Sequence, residues 1–352
     1  MATAPATRNP KDSMKSTWYT SPNRSSWTIH HWFYELLDLY PLDPNKPVPI
    51  HKKTDKVPYA SAWPQHRWIL LHVGIPMLLH QLYIYYTGNN LNSIAAFIYY
   101  SVCFKLIGIH EIQVLRKMGH IWGFFDGDQH PRDGVPDVGV TKVVRSLVST
   151  STLRSMMAVL LIYDKNFAPS SINWKWLLLE IGLYGIILDF WFYWYHRLMH
   201  DIPWLWKYHR THHLTKHPNP LLTLYADFEQ EVFDIVGIPL MTFFTMKAMG
   251  FPIGFYEWWV CNMYVVWSEL AGHSGLRLVA QPPSTLSWLL KYFDCELLIE
   301  DHDLHHRKGW RKSHNYGKQT RLWDRIFGTC YPRIEGTEDN IDYTADVRVP
   351  LW

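Results

Sequence analysis

The chain has 352 residues, a formal net charge of +3, 16% aromatic residues with 19 Trp among them, and 18% charged residues, against about 25% in an ordinary soluble domain. No run of Lys or Arg is long enough to track a phosphate backbone, so nucleic acid is not an expected partner. Mean hydropathy is slightly negative, so membrane spans do not fill the chain from end to end. An apolar embedded part with substantial polar segments outside it fits better. Cys103, Cys261, Cys295 and Cys330 stand apart with no C-x-x-C spacing. They suggest no disulfide framework and agree with a reducing, cytosol-facing setting for the polar parts.

Residues 1–26 are rich in Ser, Thr, Lys, Asn and Pro and are expected to be disordered or peripheral. No apolar core of a signal peptide occurs in the first thirty residues, so insertion falls to internal spans. Residues 27–40, WTIHHWFYELLDLY, have a helical look that suits either the membrane interface or a helix packed on the body. A Pro-rich connector runs to Pro64. Trp68–Tyr86 and Leu91–Ile109 are apolar, joined by TGNN and flanked outside by Arg67, Arg116 and Lys117. They read as a membrane hairpin with both ends cytosolic.

Residues 110–146 are polar, with Gly, Asp and Pro gathered at 123–139, and read as a cytosolic loop. Leu147–Tyr163 is a weaker span interrupted by Arg154, and Trp174–Tyr195 is a firm one that runs into His196. Val232–Met249 and Phe255–Ala271 form a further apolar pair. Residues 272–352 are polar except for Leu286–Ile299. The predicted fold is all-α and integral to the membrane, with about four to six membrane helices in hairpins and a cytosolic helical cap. The expected divisions are 1–64 (polar segment, partly disordered), 65–170 (membrane hairpins and loop), 171–335 (catalytic domain) and 336–352 (tail).

Histidine spacing carries the chemistry. His196 and His200 are spaced H-x3-H, His209, His212 and His213 H-x2-HH, and His302, His305 and His306 again H-x2-HH. Helical spacings of three and four put each set on one face. Imidazole suits iron, zinc, copper and nickel. Eight imidazoles exceed what one tetrahedral zinc can use, so two metals account for them more naturally. His273, in AGHSG after the last span, is a ninth candidate, and His217 and His314 are possible extra ligands. His30, His51, His72 and His80 read as structural or solvent-exposed. No catalytic residue beyond the metal ligands is indicated.

These motifs resemble the fatty acid hydroxylase/sterol desaturase superfamily of integral-membrane di-iron enzymes. That family carries an HR-type first box and two H-x2-HH boxes, the first two separated by a short spacer, as here. HSG at 273–275, HNYG at His314–Gly317 and LWDRIFGT at Leu322–Thr329 strengthen the likeness, which covers roughly residues 175–330. The segment HHLTKHPNP departs from the usual pattern by placing His217 there. The resemblance implies that the eight box histidines and His273 hold two iron ions, which zinc can replace in a purified sample. It implies that dioxygen is used to hydroxylate, desaturate or oxidise a C–H group of a sterol-like, terpenoid or other lipophilic substrate. A sphingoid-base or fatty-acyl hydroxylase of the same superfamily is the sibling reading. No G-x-G-x-x-G follows a strand, so electrons from NAD(P)H would arrive through a separate donor, cytochrome b5 and its reductase. The endoplasmic reticulum, with the boxes on the cytosolic side, is the implied location.

From another class, a His-based metal-binding or transport protein would place ligands inside the spans. A zinc hydrolase would be expected to carry H-E-x-x-H, which is absent.

Four further residues are candidates for supporting the ligands. Asp189 lies on the face of the apolar helix that carries Tyr193, His196 and His200, and it suits either a bond to a histidine or substrate hydroxyl, or a helix-packing bond. Asp301 adjoins His302, while Asn315 and Asp324 sit in the local motifs. Asp201, Asp227, Glu229, Glu231, Glu300 and Asp303 read individually as solvated loop charges.

Overall fold

A computed structural model describes residues 9–127 and 131–352. Short α1 (Ile29–Leu36) starts at Thr28, whose backbone N–H donates to His31 Nδ1 at 3.1 Å. It packs on the body rather than standing alone: Tyr34 is buried, and its hydroxyl donates to the Val140 carbonyl at 3.2 Å. Helix α2 (Ala62–Thr87) ends at Gly88, whose φ of +70° makes the left-handed cap that glycine adopts without a Cβ clash. Helix α3 (Ser93–Trp122) begins where Ala95 N donates to the Asn92 side chain at 2.9 Å.

Helix α3 runs well past Ile109, into what the polar composition suggested was loop. Residues 110–122 keep Ile112, Leu115 and Met118 on one buried face while Lys117 points outward. Their polarity belongs to an amphipathic helix, not to a connector. Helix α4 (Val140–Ile162) likewise starts seven residues before the expected span.

By length and composition α2, α3 and α5 (Trp174–Asp201) are the described helices able to cross a membrane. That is fewer than the four to six expected, because α4 and the last apolar pair fall short by this criterion. At 1.5 Å per residue even the shortest of the three reaches about 39 Å, beyond the hydrocarbon thickness of about 30 Å. Leu70, Leu78 and Leu82 on α2 and Ile94, Ile98 and Leu106 on α3 face outward, as lipid-facing side chains do. The chain is an integral membrane protein.

Beyond α5 lies the cap. Helix α6 (Pro203–His209) starts with Pro at its first position, where the missing N–H costs no bond. Two 3₁₀ turns, His212–Leu214 and Pro220–Leu224, lead to α7 (Phe228–Val232). A π-helical segment, Phe233–Gly237, separates α7 from α8 (Ile238–Ala248). Helix α9 (Phe255–Gly272), expected as the second arm of the last apolar pair, is the centre of the molecule. It packs against α2, α3, α4 and α5, and nearly all its side chains are buried. A helix that is apolar all round must be enclosed on every side. Helices α10 (Ser287–Tyr292), α11 (Ile299–Lys308) and α12 (Leu322–Ile326) complete the cap.

Two features lie outside the expected picture. A small parallel sheet has the order β2-β1-β3, with β1 at Val57–Ala60, β2 at Val279–Ala280 and β3 at Ile341–Asp342. Tyr59 pairs with Val279, and Val57 with Ile341. The N-terminal segment, expected to be disordered or peripheral, is docked from residue 9 onward; residues 1–8 lie outside the described part. Trp18 is buried, its indole donating to the Val135 carbonyl at 2.9 Å. Thr17 N and Trp18 N both donate to Asp137 Oδ1. Removing a buried Trp side chain costs about 3–5 kcal/mol. Trp18→Ala is therefore expected to lower the thermal unfolding midpoint in detergent; an unchanged midpoint would mean that the segment does not dock.

Candidate metal centre

His196 and His200 lie on the last turns of α5, buried on the face that also carries Asp189 and Tyr193. His209 ends α6, and His212 and His213 form the following 3₁₀ turn. His273 caps the C-terminus of α9, and His302, His305 and His306 lie along α11. The nine form two adjoining groups. His196, His200, His209, His213 and His305 make one, and His212, His273, His302 and His306 the other; within each, one nitrogen per ring lies within 4.8 Å of the rest. His213 and His306 bring the groups together, with stacked rings 4.8 Å apart.

Protonation can be read from the hydrogen bonds. Nδ1 of His196 faces the Tyr316 carbonyl at 2.8 Å, that of His200 the Trp310 carbonyl at 2.7 Å, and that of His273 the Glu269 carbonyl at 2.7 Å. His305 and His306 face the carbonyls of His314 and Thr215, at 2.6 and 3.1 Å. A carbonyl only accepts, so each Nδ1 carries the proton and each Nε2 keeps a bare lone pair. Burial, reinforced by neighbouring imidazoles, pushes His209, His212, His213, His302, His305 and His306 well below the usual histidine range, so they are neutral.

The Nε2 atoms of His196, His200 and His306 are buried with no hydrogen-bond partner. Others lie lone-pair distance apart: His209–His213 3.0 Å, His213–His305 3.1 Å, His273–His302 2.9 Å and His212–His273 3.2 Å. Two nitrogens bound about 2.1 Å from one ion stand about 3.0 Å apart at a right angle and about 3.4 Å apart at the tetrahedral angle. Both the orphaned lone pairs and the spacing fit a donor set for metal ions.

His217 and His314 lie outside both groups. His217 Nε2 contacts Asp126 at 3.3 Å, and His314 stacks on Tyr331. His30, His51, His72 and His80 are outside as well.

The four supporting candidates act on the backbone rather than on imidazole. Asp189, fully buried, accepts the N–H groups of Lys318, Gln319 and Thr320 and the Thr320 hydroxyl, and so ties the irregular segment before α12 to α5. Asp324 accepts Tyr316 N at 2.8 Å and Gly317 N at 2.7 Å, and so fixes the carbonyl that holds His196. Asn315, at φ +50°, donates to the Asp301 carbonyl. Asp301 accepts Leu298 N at the start of α11 and is paired with Arg333.

The reading of Glu300 and Asp303 as solvated charges is wrong. Both are fully buried. Glu300 accepts the N–H groups of Ile334, Glu335 and Gly336. Asp303 is paired with Arg132 at 2.6 Å and Arg307 at 3.0 Å. Arg132 also packs so close to Gly275 that a Cβ there would overlap its guanidinium. Asp201 remains a surface charge, paired with Arg197. The orienting carbonyls of Tyr316, Trp310 and Thr215 left no mark in side-chain spacing.

This fold and site define a helical membrane protein whose cap encloses two adjoining polyhistidine clusters. The fatty acid hydroxylase family model matches residues 181–329, which span all nine histidines. The chain is 46% identical over 312 residues to Fatty acid hydroxylase vlmA of Lecanicillium sp, covering 85% of each. It is 28% identical over 172 residues to the alkylglycerol monooxygenase of Xenopus tropicalis, covering 47% of this chain and 33% of that one. It is 32% identical over 167 residues to methylsterol monooxygenase 2-1 of Arabidopsis thaliana, covering 45% and 57%. No solved structure matches. The chain belongs to the fatty acid hydroxylase/sterol desaturase superfamily and is an oxidoreductase of its hydroxylase and monooxygenase type.

Asp324→Ala would strand two buried N–H groups, each costing about 1–3 kcal/mol. Hydrogen exchange at the Tyr316 and Gly317 amides is expected to accelerate well beyond that of α5; equal protection in the variant would show that Asp324 does not fix this loop.

Proposed function

We propose that the chain is a membrane-bound di-iron oxygenase that uses dioxygen and externally supplied electrons to oxidise a C–H group of a lipophilic substrate. The observation that carries this reading is the pair of buried groups whose ring nitrogens converge, five of them with Nε2 left bare by an Nδ1–carbonyl bond. His196, His200, His209, His213 and His305 would hold one iron, and His212, His273, His302 and His306 the other. An unactivated C–H bond has no acidic proton and no electrophilic centre, so side-chain acid–base chemistry cannot open it; bound iron supplies the redox capacity that dioxygen needs to do so. The chain's own groups hold the donors neutral, aim them through carbonyl bonds, and keep bulk water out by burial. A metal carrier would string its ligands along a path through the spans, whereas these gather at the end of one helix.

The three relatives are named for a fatty acid, an alkylglycerol and a methylsterol, all largely apolar molecules suited to entry from a bilayer. Electrons must reach the centre through the cap. Arg210 and Lys216 hold their cationic ends over the ring of Trp310, exposed Arg311 and Lys312 follow it in the chain, and its carbonyl orients His200. This basic surface suits an acidic donor of the cytochrome b5 type. The positive-inside pattern supports a cytosolic cap, and the location that goes with this reading is the endoplasmic reticulum.

Purified protein is expected to hold two iron ions per chain and to consume oxygen in step with a lipid product heavier by 16 or lighter by 2 mass units. His213→Ala is expected to abolish the product and lower the metal count, while His314→Ala leaves two metals in place. One zinc per chain, or product formed without oxygen, would sink the proposal.

A further inference from the structure

Arg154 of α4 is 2% exposed. It pairs with Glu269 of α9 through Nη2 alone, at 3.0 Å to each carboxylate oxygen. Its Nε and Nη1 are buried with no partner. A guanidinium carries five N–H groups, so three of them go unanswered in a setting where each missing bond costs free energy. The Thr223 hydroxyl, in the 3₁₀ turn after the second histidine box, is also buried and unpartnered.

Both residues line one small cavity of about 60 Å³ between α3, α4, α9 and that turn. Phe104, Ile109, Leu147, Val266 and Leu270 make most of the wall apolar. The cavity reaches the metal-binding histidines through Glu269. That side chain lines the cavity and takes a second cation, Lys318 at 3.3 Å, while its backbone carbonyl orients His273 at 2.7 Å. A buried charge pair next to a void, with donors to spare, marks a candidate binding site.

We propose that this cavity binds the head of the lipophilic substrate, and that the head is an sp² oxygen acceptor, a carboxylate or carbonyl, received by Nε and Nη1 of Arg154 with the Thr223 hydroxyl beside them. The missing partner of three N–H donors is an acceptor, and the apolar wall takes the chain or ring that bears it. Glu269 keeps Arg154 in place, so the guanidinium is aimed before the ligand arrives. In calling the ligand a substrate, the inference rests on the oxygenase reading above.

Gly108 of α3 also lines the cavity, and a Cβ there would meet nothing within 4 Å. Gly108→Leu should therefore fill the space without straining the helix, and Leu is the better helix former. The test is equilibrium binding of radiolabelled palmitate, methyl palmitate and hexadecane to the full-length protein in detergent, with iron counted in the same samples. Wild type is expected to bind palmitate more tightly than hexadecane. Affinity is expected to fall at least about tenfold in Arg154→Gln and in Gly108→Leu, with the iron count of Gly108→Leu unchanged. Binding of palmitate alone would make the head a carboxylate; binding of the ester as well would make it a carbonyl. Palmitate that binds both variants as it binds wild type, hexadecane that binds equally well, or no acyl binding at all would overturn the chamber. Wild type that held fewer than two metal ions of any kind per chain yet still showed the variant-sensitive binding would overturn the oxygenase reading and leave the chamber standing.

Discussion

An imidazole can turn a bare lone pair inward only if its other nitrogen keeps the proton, and much of the cap exists to secure that condition. Five of the nine rings meet it with a backbone carbonyl. Four of those carbonyls belong to Thr215, Trp310, His314 and Tyr316, in irregular chain. Irregular backbone holds an angle only when its own polar groups are bound. Asp189, Asp324 and Asn315 supply those bonds, and Asn315 accepts a left-handed backbone to do so. The carboxylates near the centre thus act at one remove, by shaping the loops that aim the rings.

The two histidine groups interleave the chain. One takes four rings from the α5–α6 side and His305 from α11; the other takes His212 from the α6 side and the rest from α9 and α11. Neither group can close until α11 lies against α5 and α9. What seats α11 is charge: Glu300, Asp301 and Asp303 are fully buried, each matched by N–H groups or arginines. Such pairs add little net stability, yet losing one partner is expensive. Their effect is to allow one docking position for a helix whose sequence is mostly polar.

The site was far more legible than its surroundings. Spacings of three and four, repeated three times, carried the helical face and the donor type together, and His273 stood out as a lone imidazole at the end of an apolar run. The supports were illegible for a physical reason. Backbone carbonyls have no residue type; Glu300 looks solvated until the N–H groups of Ile334, Glu335 and Gly336 are seen against it, and Asp303 until its arginines are, with Arg132 far away in sequence. The fold was misread where polarity stood in for exposure. Residues 110–122 are polar yet helical, and Trp18 lies in a polar stretch yet is buried. Arg154 was visible as a flaw in an apolar segment; its meaning depended on Glu269, which only the fold brings to it.

The small parallel sheet has a consequence for how the molecule is made. Strand β1 has no partner when it is synthesised; β2 must follow α9, and β3 comes only after α12. Contacts between segments so distant in the chain close slowly and late. Insertion of α2, α3 and α5 can therefore precede closure of the cap, leaving a membrane-anchored intermediate with its histidines still apart. Convergence of the two histidine groups then becomes a late step in biogenesis, one that waits for the residues that complete the sheet.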